Sequence, residues 1–66
     1  MIRVKCIYQN VKTGVQSEMN VNVPHSIVKG SIERKHSHFL KLGKKTFGKV
    51  DLVSIQNVDT MEFYYV

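Results

Sequence analysis

Four side chains have the chemistry to hold a metal ion: Cys6, His25, His36 and His38. Zinc sites gather thiolates and imidazoles through paired spacings of a few residues. The only close pair here is His36 with His38, two apart. On a helix such a pair diverges and shares no ion, whereas on an extended strand it would share a face. No metal and no cofactor is therefore expected. Cys6 follows Ile2 and Val4 in an alternating apolar run, where a free thiol is buried and inert. Gly43-Lys44-Lys45-Thr46 resembles the end of a phosphate-binding loop. It lacks the leading glycine of that pattern and follows a helix rather than a strand, so that reading is rejected. No serine has an evident base with an orienting acid. The five acids (Glu18, Glu33, Asp51, Asp59, Glu62) form no close pair with acid–base spacing. A chain this small also encloses little of the pocket that most enzymes use. Catalysis is not expected.

The remaining chemistry is electrostatic. Residues 24–49 carry Lys29, Arg34, Lys35, Lys41, Lys44, Lys45 and Lys49 against one acid, Glu33, a local excess of six. All three histidines lie in the same stretch, and residues 50–66 carry only acids. Segregation of this kind marks a surface that meets something anionic. Arg34, Lys35, His38, Lys41, Lys44, Lys45 and Lys49 are the candidate contacts. They suit phosphates, with binding that weakens steeply as salt rises. Zinc-finger spacing, helix-turn-helix pairing and aromatic RNA-binding motifs are absent. Contact with nucleic-acid backbone is thus expected rather than base reading. A second reading is a phage- or mobile-element-type protein that docks the same surface on an acidic or nucleic-acid-binding host protein and inhibits or redirects it. A third is a structural homodimer. Ordinary solvated lysines are the plain alternative to all three.

Sixty-six residues make one domain, 1–66. A domain of this size buries only about 60% of its unfolded surface and has a net stability of roughly 3–5 kcal/mol. One cysteine permits no internal disulfide, which favours a reducing, cytoplasmic setting. Arg3 and Lys5 interrupt the apolar N-terminus, and no run approaches the roughly 20 apolar residues that cross a bilayer. No membrane partner is expected. The chain has no alanine and no tryptophan and is rich in Lys, Asn, Ile and Tyr. That bias suits a low-GC genome, bacterial or phage.

These cations need elements to position them. Ile2, Val4, Cys6 and Tyr8 alternate with more polar residues, and Met19, Val21 and Val23 do so after a turn within 10–14. Period two with one apolar face predicts a β-hairpin. Pro24 ends the second strand, and 25–30 has no clear pattern. Ser31 is placed as the N-cap of a helix whose inner stripe is Ile32, His36, Phe39 and Leu40. Gly43 is placed as its C-cap, followed by a basic loop over 43–49. Val50–Gln56 is apolar on both sides, which predicts an interior or bulged strand. A turn at 57–59 leads to a last strand over 61–66 that is either interior or has its exposed side against a partner; edge protection favours the interior place.

The order β-β-α-β-β predicts a two-layer α+β sandwich, a four-stranded mostly antiparallel sheet with one helix on one face. Two strand orders fit. In a β-grasp-like order the last strand lies beside the first, and the other order is a meander of two hairpins. The uncovered sheet face would present Arg3, Lys5, Ile7 and Tyr64, with Tyr64 able to stack a base beside the cations. That face is the one a homodimer would pack.

Overall fold

The computed structural model describes residues 1–66 and has the expected α+β architecture. Strands β1 (Ile2–Asn10), β2 (Gln16–Val23), β3 (Val50–Asn57) and β4 (Phe63–Tyr65) form one antiparallel sheet in the order β2-β1-β3-β4. Helices α1 (His25–Lys29) and α2 (Ile32–Phe47) connect the two hairpins. β3, not the last strand, lies beside β1, so the β-grasp pairing is absent; both hairpins form, but they join through β1 and β3, whereas a meander would set β3 beside β2. β4 is the outer strand of its hairpin, contrary to the interior place expected of it. Tyr65 packs on His36 of α2 and Tyr64 is half-buried, while Phe63 is exposed.

The two hairpins close with the same turn. Asn10-Val-Lys-Thr-Gly and Asn57-Val-Asp-Thr-Met occupy equivalent places. In the first, Asn10 Oδ1 accepts from the Lys12 and Thr13 N–H groups at 2.8 and 3.0 Å, and Thr13 Oγ1 accepts from Val15 N–H. In the second, Asn57 Oδ1 accepts from Asp59 and Thr60 N–H at 2.8 and 3.0 Å, and Thr60 Oγ1 accepts from Glu62 N–H. The fifth position is left-handed in both, Gly14 at φ 75° and Met61 at φ 66°. Asparagine and threonine thus substitute side-chain acceptors for missing backbone ones.

One face of the sheet holds the core. Val4, Cys6 and Tyr8 of β1, with Val23, Val50, Leu52 and Ile55, pack beneath Phe39 of α2 and Val28 of α1. Both alternatives for β3 hold together. It is an interior strand, and a bulge at Val53, opposite Ile7 and Tyr8, shifts its parity so that Val50 and Leu52 before it and Ile55 after it all face the core. No buried side-chain nitrogen or oxygen lacks a hydrogen-bond partner.

α2 begins as expected, with Ser31 Oγ accepting from Arg34 N–H at 3.2 Å. It ends later than expected. Gly43 is not the cap but a buried residue in mid-helix, and the helix runs on to Phe47, where Gly48 (φ 88°) stops it with its N–H on Lys44 C=O. The reason lies in β1. A β-carbon at Gly43 would overlap the Tyr8 ring, three of whose atoms would fall under 3.0 Å. The Tyr8 hydroxyl donates to Phe39 C=O at 2.6 Å. Glycine lets the helix settle onto the tyrosine. Ile32, expected in the inner stripe, shares the helix side of Phe39 and Gly43 but is 64% exposed, because as the first residue of α2 it lies beyond the part of the helix that is buried. The unassigned segment after Pro24 is α1, broken from α2 by Gly30.

Candidate nucleic-acid interface

The rotation of α2 about its own axis decides where its charges go. Phe39 and Gly43 are fixed inward by Tyr8. At 100° per residue, Arg34, Lys41 and Lys45 then lie about 180° from that contact, with His38 beside them. All four are exposed. Lys44 stands on the flank and is exposed too. Lys44 and Lys45 belong to the last helical turns, not to a loop. Their ammonium groups also complement the negative end of the helix dipole, a structural role that coexists with any binding role.

Lys49 follows the glycine stop and is exposed. Its carbonyl accepts from Val11 N–H at 3.1 Å, which fastens the β1–β2 turn, and Val11 in it, to the helix end. Nothing in the sequence signals that neighbour, because the link is a backbone hydrogen bond between distant segments. Between α1 and α2 runs an open groove of about 600 Å³. Arg34, His38 and Lys41 line it with Ser26 and Gly30, and Glu33 is its one carboxylate.

Lys35 departs from this group. Its ammonium donates to Tyr64 C=O at 3.1 Å in a part-buried contact. It ties α2 to the outer strand and does not stand on the exposed face. His36 lies at the core edge, its ring 5.3 Å from that of Tyr65, while exposed His38 meets Phe39 edge-on at 5.1 Å. The two imidazoles point to different sides.

The second group of candidates is only partly assembled. Arg3, Lys5 and Ile7 share the uncovered sheet face, since each lies out of phase with buried Val4, Cys6 and Tyr8. Tyr64 does not join them. The β4 bulge turns it toward the core, where its hydroxyl accepts from Asn57 Nδ2 at 3.0 Å. The row Asn20–Lys5–Gln56–Phe63 runs across the sheet instead, so the aromatic in the row of Lys5 is Phe63, 52% exposed and separated from it by Gln56. A bulge that swaps two neighbouring aromatics leaves no mark in a period-two pattern.

Cys6 and Tyr8 are fully buried. Burial pushes the Cys6 thiol up from 9.0 to about 11, with a partly opposing contact to Tyr8. Burial, followed by the neighbouring Cys6, raises the Tyr8 phenol as well. Both are protonated near neutral pH, and Cys6 lacks the thiolate character that reactive cysteines need.

No helix is long and apolar enough to cross a membrane. No protein-family model, no curated protein and no solved structure matches the chain.

Proposed function

We propose that this chain is a small non-catalytic binding protein that holds nucleic-acid backbone on the outer face of α2. The observation that carries the reading is the line Arg34, His38, Lys41, Lys45, at spacings of four, three and four along one rigid helix, with Lys44 beside it and Lys49 at its end. From Arg34 to Lys45 the line is about 17 Å long at 1.5 Å per residue. A duplex presents one negative charge per about 1.7 Å of axis, so partners for every cation lie within that length.

The composition of the face favours phosphate over base edges. Its cations are mostly lysines, which act as point charges and carry no bidentate fork. Arg34 is the one guanidinium, and the outer face has no asparagine or glutamine to read adenine. Contact of this kind is indifferent to sequence.

Fluorescence anisotropy with labelled duplexes of unrelated sequence tests the proposal. Binding at about 50 mM salt is expected, alike for all sequences and lost in K41E/K45E. Absence of binding to duplex or single strands at that salt contradicts the proposal. The same face would then be open to an acidic protein partner.

A further inference from the structure

We propose that β2 is a self-pairing edge, on which a second copy of this chain adds to form a continuous eight-stranded sheet. The two edges of the sheet are built in opposite ways. β4 is three residues long and bulged, and its Tyr64 carbonyl is occupied by Lys35. These are the devices by which proteins close an edge to intruding strands. β2 has none of them. It is eight residues long, pairs with β1 without a register break, and contains no lysine, arginine or proline.

The hydrogen-bond phase shows which groups are free. Arg3 C=O accepts from Val58 N–H, on the β3 side of β1, and Asn10 N–H donates to Val15 C=O, on the β2 side. Alternation along an antiparallel ladder therefore turns the even residues of β1, and their partners Ser17, Met19, Val21 and Val23, toward each other. The backbone groups of Gln16, Glu18, Asn20 and Asn22 point away from β1. All four residues are exposed.

An antiparallel copy centred on Met19 uses all of them. Gln16 pairs with Asn22 of the second copy and Glu18 with Asn20, and the twofold axis repeats both pairs. Every outward N–H and C=O of Gln16–Asn22 then meets a partner. The strand's one charge faces an amide, and Gln16 and Asn22 bring two further amides together. On the helix side, half-buried Met19 meets its own counterpart and Val21 faces Ser17. With the axis normal to the sheet, both α2 helices lie on the same side of it. The second copy is thus the occupant that matches this strand in register, charge and side-chain type. It also enlarges a core that has no disulfide to support it. The inference is independent of any nucleic-acid binding.

Sedimentation equilibrium without nucleic acid tests it. At about 0.5 mM chain, a range where weak edge pairing is populated by mass action, the expected mass is twice the 7.6 kDa of one chain. N20E sets a carboxylate opposite Glu18 at both symmetric positions and weakens association about tenfold. E18K/N20E restores it by making both pairs opposite in charge. N20P removes an outward N–H that the single chain does not use, so it stays folded by circular dichroism and sediments as one chain. A mass of 7.6 kDa at the highest concentration, or a dimer indifferent to N20E and N20P, overturns the proposal.

Discussion

Replacing Gly43 with alanine separates two accounts of the helix. By intrinsic propensity, Gly→Ala in a helix interior gains about 1 kcal/mol. Gly43 has no room for that gain. The new methyl would overlap Cδ1, Cε1 and Cζ of Tyr8, and Tyr8 is fully buried and tied to Phe39 C=O by its hydroxyl. Overpacking of this kind costs about 1–3 kcal/mol. If the ring is displaced, the Tyr8–Phe39 hydrogen bond is lost as well, at about 1 kcal/mol. The net expectation is a loss of about 1–3 kcal/mol, a large share of the stability of so small a domain. Urea unfolding followed by circular dichroism at fixed chain concentration measures it, and thermal unfolding should shift down by roughly 4–24 °C. Y8L removes the ring edge. It should destabilise the parent but cost at least about 1 kcal/mol less in the G43A background, the sign expected for residues in contact. A G43A protein as stable as the parent, or additive behaviour of the pair, would refute the Tyr8–Gly43 contact and with it the rotation assigned to α2.

Other consequences are simpler to check. Met61 holds a left-handed conformation that Gly14 holds in the matching turn, so M61G should gain up to about 1 kcal/mol in urea unfolding, whereas G14A should lose a similar amount. K35M frees the Tyr64 carbonyl and should cost about 1 kcal/mol. It should leave nucleic-acid affinity nearly unchanged, because that ammonium is already engaged; equal loss of affinity in K35M and K41M would contradict the division of roles. The fold should also be alkali-sensitive. The Cys6 thiol is raised in the folded state to about 11 from 9.0, so the folded chain binds the extra proton. That contribution is complete below pH 9.0 and is lost as pH rises toward 11, at about 2–3 kcal/mol in total. Buried Tyr8, also raised, acts in the same direction. C6A should flatten the stability profile across that window, and an unchanged profile would count against burial of the thiol as its cause.

The sequence carried the sheet and the start of the helix because those depend on local rules. Alternation in β1 and β2 follows from one face being buried, and Ser31 followed by Glu33 is chemistry confined to the first turn. The end of the helix was not legible. Gly43 looks like a stop by residue type and is instead a notch for a tyrosine 35 positions away (43 − 8). That single tertiary contact turned an expected loop into helix and moved Lys44 and Lys45 with it. Lys35 reads as one more surface cation until β4 is placed over it. The exchange of Tyr64 for Phe63 depends on a bulge, and the kinship of the two turns depends on seeing that Asn10 and Asn57 open equivalent hairpins. The charged outer face itself was readable, since Arg34, His38 and Lys41 share one helix side by spacing alone.

The central claim is that α2 acts as a row of phosphate contacts. The most direct measurement is the slope of log affinity against log salt for a duplex. Arg34, Lys41, Lys44, Lys45 and Lys49 acting together predict a slope near −4.5, or about a 500-fold loss between roughly 50 and 200 mM salt. Neutralising Lys41 and Lys45 as K41Q/K45Q should reduce that slope by about 1.8. A shallow slope in the parent, or the same slope in both proteins, would contradict the account.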